Sequence, residues 1–154
     1  MRRFGNVVVV PFEAWHLEWI DFNEDAARAL ASVVQDMPNH GRLLATSSKA
    51  FTALCKGRVL GCAGLIPWWE GMAELWMYLG KDAFIQRKQA VKILRWYMDH
   101  LIKDMKLHRI QAVVKTEFKE GHRFAKFFGF VNEGNMENYS AAKDDFTRYA
   151  RIIK

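Results

Sequence analysis

Residues 121–139 read GHRFAKFFGFVNEGNMENY, a basic amphipathic turn that breaks at one glycine and resumes as an alternating strand. The pattern predicts a short helix over roughly 119–128, closed by Gly129, because glycine adopts the left-handed conformation that ends helices without steric cost. From Phe130 onward the apolar and polar residues alternate, so residues 130–139 and 145–153 read as a closing antiparallel pair.

Working back from this segment, His108 to Lys115 alternates as a strand. Before it lies the longest helical pattern, residues 86–105, with Ala90, Ile93, Leu94, Tyr97, Leu101 and Met105 on one face. A strand at 73–79, AELWMYL, precedes that helix, so the strands at 73–79 and 108–115 should run parallel. Residues 50–56 and 59–66 form an expected hairpin about Gly57-Arg58, and a second turn at Pro67–Gly71 completes a three-strand meander. In that register Cys55 would face Leu60 and Cys62 would face Ala53, which disfavours a disulfide. The segment DMPNHG, residues 36–41, is dense in turn formers and reads as a loop. Helical patterns are expected over 13–20 and over 24–35, the second with Asn23 as N-cap, and Val7–Pro11 is a β-branched run expected as a buried first strand.

The chain has 154 residues, 51% of them hydrophobic and 26% charged, which suits one compact domain with a substantial core. The valine run at 7–10 is too short for a signal peptide, no segment is long and apolar enough for a membrane span, and two cysteines suit a cytoplasmic chain with free thiols. The net charge of +6 is uneven. Arg87, Lys88, Lys92, Arg95, Lys103 and Lys106 lie in one stretch against Asp99 and Asp104, which either favours an anionic ligand or forms a solvated helix face. The five histidines and two cysteines have no metal-ligand spacing, so no metal is expected. A phosphate loop and a Gly-x-Ser-x-Gly motif are also missing, which argues against the common nucleotide-triphosphatase and hydrolase classes. Trp68-Trp69 could line an acceptor site or a partner surface, but tryptophans beside a proline turn usually just pack.

The element order β-α-α-β-β-β-α-β-α-β-β resembles the GNAT superfamily of acyl-CoA-dependent N-acyltransferases over nearly the whole chain. Two segments carry the likeness: RFAKFFGF, residues 123–130, followed by Asn132-Glu133-Gly134, and AELWMYLGKDAFIQRKQAVKIL, residues 73–94. The tail, with Tyr139, Asp144 or Asp145, Tyr149 and Arg151, is similar to GNAT-like proteins of tailed phages and prophages.

The resemblance implies an α/β (α+β) GNAT fold, a mixed twisted sheet of about seven strands with about four helices. It also implies acetyl-CoA as co-substrate and an amine acceptor, on a small molecule or a host protein. The open strand edge near the carboxyl terminus suits a homodimer, and nucleic acid is not expected as a partner. The alternative is a degenerate scaffold that binds a host protein or sits in a virion.

By the same resemblance, Glu74 stands where some members carry a catalytic glutamate, although a lone strand glutamate is more often an ordinary solvated residue. Met77, Tyr78 and Leu79 stand where the backbone would meet the acyl group, and Arg87, Lys88, Gln89 and Ala90 where the cofactor's pyrophosphate would meet the long helix. The family's pattern there is Gln or Arg, two residues, Gly, one residue, then Gly or Ala. Aligned without gaps from Glu74, those places fall on Ile85, Lys88 and Ala90. Either Arg87 and Lys88 hold phosphate by side-chain charge, or Lys88 obstructs the pocket. The tyrosine that often protonates the leaving thiolate is replaced by Ala125, and an asparagine common seven residues earlier by Phe118. Thiolate protonation would then come from water or from another group such as Tyr139 or His122, and a histidine beside Arg123 on a helix is more often an ordinary surface residue.

Overall fold

A computed structural model describes residues 1–154, apart from the side chain of Phe84. The strands are β1 (Arg2–Phe4), β2 (Val7–Pro11), β3 (Lys49–Cys55), β4 (Arg58–Trp69), β5 (Met72–Leu79), β6 (Arg109–Lys115), β7 (Val131–Met136) and β8 (Phe146–Ile152). The helices are α1 (Glu24–Ala31), α2 (Met37–Ser47), α3 (Lys81–Ile85), α4 (Arg87–Asp104) and α5 (Lys119–Phe127), with a 3₁₀ helix at Ala14–Trp19. One sheet of eight strands runs in the order β1-β2-β3-β4-β5-β6-β8-β7. All its pairings are antiparallel except β5 with β6, where α3 and α4 supply the crossover that a parallel pair requires. This is the mixed α+β architecture expected from the sequence, with more strands and helices than expected.

The sheet buries both faces. Along β5, Ala73, Leu75, Met77 and Leu79 belong to the core that includes Ile93, Leu94 and Met98 of α4 and Phe128 after α5. Trp76 and Tyr78 face the opposite way, toward Leu17 of the 3₁₀ helix and Leu44 of α2. The period-two side-chain alternation of a strand thus serves two cores at once. Gly64 on β4 makes room for the second: a Cβ there would lie 2.6 Å from the Ala50 Cβ and 2.9 Å from Trp76 Nε1.

The helix termination expected at Gly129 is present in full. Gly129 has φ +85°, its N–H donates to Lys126 O at 3.1 Å, and Phe130 N–H donates to Ala125 O at 2.9 Å. This paired closure satisfies the terminal carbonyls of α5 and turns the chain into β7.

Several expectations require correction. Residues 36–41 are not a loop but the first turns of α2. The Asp36 carboxylate accepts from Asn39 N–H at 3.1 Å and Pro38 sits in the first turn, so the turn formers act as a helix start. The helix expected over 24–35 stops at Ala31, with Ser32 as its C-cap. Residues 14–19 wind as a 3₁₀ helix, tightened by a reciprocal cap between Glu13 and His16. Strand β4 continues through Pro67 to Trp69, so the turn before β5 is confined to Glu70-Gly71. A bulge between Ala53 and Leu54 resets the β3–β4 hairpin, which turns at Lys56-Gly57 and sets Cys62 opposite Thr52 and Cys55 opposite Arg58. Both cysteines are free and buried, and burial pushes the Cys62 thiol up to about 12. Among the described residues no helix is long and apolar enough to cross a membrane.

Candidate active site

The site begins where the sheet stops being a sheet. Strands β5 and β6 pair at Met72 with Arg109, Ala73 with Ile110 and Glu74 with Gln111, and their pairing ends there. Beyond Glu74, β5 remains paired with β4 through Leu79, while β6 remains paired with β8 through Lys115. The two strands therefore diverge, and every second backbone N–H and C=O along Leu75–Leu79 faces the gap instead of a ladder partner.

A cavity of about 330 Å³ fills this gap. Leu75, Met77 and Leu79 line it from β5, Val113 from β6, and Phe124 and Phe128 from α5 and its end. It continues to the other face of the sheet, where α1 contributes Ala26, Ala29 and Leu30 and α2 contributes His40 and Leu44. The lining is mainly apolar, with a few polar groups converging on it, the composition of a small-molecule site.

Those polar groups centre on Glu74. Its Oε1 accepts a hydrogen bond from Gln111 Nε2 at 3.2 Å, so the last rung of the parallel pair also fixes the carboxylate. Tyr78, four residues along on the same strand face, places its hydroxyl 3.0 Å from His40 Nε2. Burial and then the charge of Glu74 push the Tyr78 phenol well above its ordinary range, and burial alone lowers His40. Both groups are therefore held neutral. Tyr139, on the turn after β7, stacks at a tilt on Phe146 with ring centroids 5.2 Å apart. Burial and the Glu74 charge raise its phenol too, partly offset by Arg148.

Helix α1 is fastened at both ends. At its start Asn23 Nδ2 donates to Glu120 Oε2 of α5 at 3.3 Å. At its end the Ser32 hydroxyl donates to the Asp144 carboxylate and lies 3.3 Å from the Ser140 hydroxyl. Lys115, whose side chain also lines the cavity, approaches Asp144 at 3.7 Å.

The structure brings Glu74, Met77, Tyr78, Leu79 and Tyr139 together around this cavity. Arg87 and Lys88 lie outside its lining, exposed on the first turn of α4. Gln89 packs against Gly5 of the β1–β2 turn, where a Cβ would fall 2.7 Å from Gln89 Nε2, and Ala90 faces a small apolar space beside Ile93 and Leu94. Of the charged side chains in this basic stretch, Arg95 lies 5.2 Å from the Phe127 ring and so ties α4 to α5. His122 is committed elsewhere: Nδ1 is 2.6 Å from the Tyr149 hydroxyl and Nε2 is 2.9 Å from Thr116 O. A neutral ring with Nε2–H donating to the carbonyl and Nδ1 accepting from the phenol satisfies both contacts. Ala125 and Phe118 both lie in the cavity wall. His40, Lys115 and the α1 lining were not anticipated from sequence; the signal for His40 was the Asp36 cap with Pro38, which marks a helix and hence a face.

Among the described residues no group of three or more metal-ligating side chains clusters. Curated proteins give no match to this sequence. Among solved structures, the chain is similar to a GNAT-family acetyltransferase from Bacillus anthracis, with TM-score 0.73, 19% identity, and coverage of 97% of this chain and 96% of that one. It is also similar to a ribosomal-protein-S5-alanine acetyltransferase from Vibrio fischeri, with TM-score 0.70, 17% identity, and coverage of 98% and 95%. The spermidine/spermine N-acetyltransferase SpeG from Vibrio cholerae, in mutant forms, superimposes with TM-score 0.68 at 14% identity, covering 97% and 95%. Identities this low establish a shared fold and nothing finer. The family model for the acetyltransferase (GNAT) family matches residues 12–130, which span the diverging strands, the α3–α4 crossover and α5. By that match the chain belongs to the GNAT acetyltransferase family.

Proposed function

We propose that the chain is a single-domain N-acetyltransferase that moves an acetyl group from acetyl-CoA to an amine. The observation that carries this reading is the end of β5–β6 pairing at Glu74 and Gln111, with an apolar cavity in the gap. Backbone groups of Leu75–Leu79 facing the gap suit an extended, amide-bearing arm, which would complete the interrupted ladder much as an added strand does. Arg87 and Lys88 are the residues that would meet its phosphates by side-chain charge, since Lys88 replaces the glycine that would let the backbone approach.

The chain's own groups divide the chemistry. Glu74, directly or through a water, takes a proton from the acceptor ammonium. The freed amine nitrogen attacks the thioester carbon, and a backbone N–H of the Met77–Leu79 segment donates to the oxygen on which charge collects. As the carbon–sulfur bond breaks, sulfur takes a proton from the Tyr139 phenol; the second proton that the nitrogen sheds on becoming an amide passes through solvent to restore the phenol, and Glu74 releases its proton to solvent. Burial keeps both phenols neutral and so able to donate. The acetyl group ends on nitrogen, and the thiol leaves.

A second reading, a scaffold without catalysis that engages a host protein or a virion, draws on Ala125 and Phe118. They place a methyl and a phenyl in the cavity wall where a tyrosine and an asparagine are common in the family. The likeness of the tail to phage proteins points the same way and is proposed here as the chain's origin. β7, at the sheet edge and exposed over residues 131–135, is the surface on which a homodimer would form. The test is thiol release from acetyl-CoA in the presence of a panel of amines. Release that depends on the amine supports the enzyme; none from a folded sample that binds acetyl-CoA supports the scaffold.

A further inference from the structure

Among the described residues Lys115 is the one amine in the cavity lining, and its side chain is only 13% exposed. The register of the sheet fixes its place. Glu74 of β5 pairs with Gln111 of β6, and the two strands run parallel. Four residues beyond that rung stand Tyr78 on β5 and Lys115 on β6, so Lys115 is level with Tyr78 across the gap, at the middle of the Met77–Leu79 segment. Residues an even number apart on a strand share a face, so Lys115 projects on the side where Gln111 reaches Glu74.

The ammonium is held lightly. Asp144 lies 3.7 Å away, beyond close hydrogen-bonding distance, and that carboxylate already accepts from the Ser32 hydroxyl. The flexible stem of a lysine lets its nitrogen leave Asp144 for the gap without movement of the backbone. An amine on the same face as the base, level with the backbone assigned to the thioester, has what an acceptor needs.

We infer that Lys115 is itself an acetyl acceptor, modified by the acetyl-CoA bound to its own chain. The inference rests on the acetyltransferase reading and adds a modification site to it. Glu74 takes one proton from the Lys115 ammonium, and Nζ attacks the thioester carbon. The carbon–sulfur bond breaks, and sulfur leaves as the thiol with the proton of the Tyr139 phenol. The second proton shed by Nζ passes through solvent to the phenol, and Glu74 releases its own to solvent. The product is a neutral amide, which removes the positive charge from the cavity wall, leaves Asp144 without its cation and adds bulk to the site.

The experiment incubates the full chain with acetyl-CoA and no added amine, then maps acetylated lysines over time by mass spectrometry, in the parent and in Glu74→Gln. Acetyl-CoA free in solution reacts with lysines that solvent reaches, such as the exposed Lys56 and Lys106, and least with a lysine that is mostly buried beside a carboxylate. The inference predicts the reverse order: Lys115 is acetylated faster than either by about 10-fold or more, as befits a positioned amine, at a rate independent of protein concentration. In Glu74→Gln the Lys115 rate should fall by about 10²-fold while the rates at Lys56 and Lys106 stay as they were. A Lys115 rate no greater than those of the exposed lysines overturns the inference, and so does a Lys115 rate that the variant leaves unchanged. If added amines are acetylated and Lys115 is not, the inference fails alone; if acetyl-CoA neither raises the melting temperature nor releases thiol with any amine, the acetyltransferase reading fails and the inference with it.

Discussion

Replacing Glu74 by glutamine isolates charge from structure at the centre of the site. Glutamine has the size of glutamate, and its amide oxygen can keep the hydrogen bond that Gln111 Nε2 donates at 3.2 Å, so the last rung of the β5–β6 pair survives. What is lost is a proton acceptor and a negative charge. Loss of a positioned base should lower kcat by about 10²-fold, equivalent to about 2.7 kcal/mol of barrier. Removing the charge also relieves Tyr78 and Tyr139, whose phenols Glu74 helps to raise, so both should ionise at lower pH than in the parent. Steady-state thiol release gives the first quantity, and ultraviolet titration of tyrosinate gives the second. Acetyl-CoA binding should be retained. Turnover within about two-fold of the parent, with folding intact, would remove Glu74 from the mechanism.

Three further outcomes follow from other parts of the molecule. Exchanging both Arg87 and Lys88 for alanine should weaken acetyl-CoA binding by about 10- to 100-fold without lowering stability, since both are exposed and their value lies in charged contacts to phosphate; unchanged affinity by titration calorimetry would assign the phosphates elsewhere. Gly64→Ala forces a Cβ to within 2.6 Å of the Ala50 Cβ and should cost about 1–3 kcal/mol, a fall of roughly 2–4 °C in melting temperature per kcal/mol. A melting temperature equal to the parent's would show that the Trp76 face is loosely packed. His16 and His40 are both held below their ordinary value of 6.5 by burial, so the unfolded chain binds more protons than the folded one between the lowered values and 6.5. Their contribution to stability is therefore complete above 6.5 and declines as pH falls through that window. A melting temperature that rises on acidification across this range would contradict the assignment.

Much of the architecture was legible because its signals are local. The α4 face repeats over many turns, Gly129 sits where only a left-handed residue closes α5, and β5 alternates between two cores, so pattern and structure agree. Elements that depend on tertiary partners were not legible. β1 has three residues and exists through its pairing with β2. α2 opens with Asp36, Pro38 and Asn39, residue types that serve equally as turn and as helix start, and the choice is made by packing of Gly41 against Ala14. The same ambiguity hid His40, and with it the side of the cavity that α2 lines. Glu74 could be placed on its strand, but the end of β5–β6 pairing beside it is a property of two strands and their neighbours, invisible in either one alone.

The most direct test of the central claim, that an acyl-CoA lies in the gap between β5 and β6, is a thermal melt with acetyl-CoA at about 100 times its dissociation constant, run on the parent and on Ala125→Trp. Binding at that level adds about 2.7 kcal/mol, which for a chain of this size is roughly 5–11 °C. Ala125 lies in the wall of the 330 Å³ cavity, and an indole there would occupy the space without touching the sheet ladder. The account predicts the full shift in the parent and its loss in the folded variant. No shift in the parent, or an equal shift in both proteins, would contradict it.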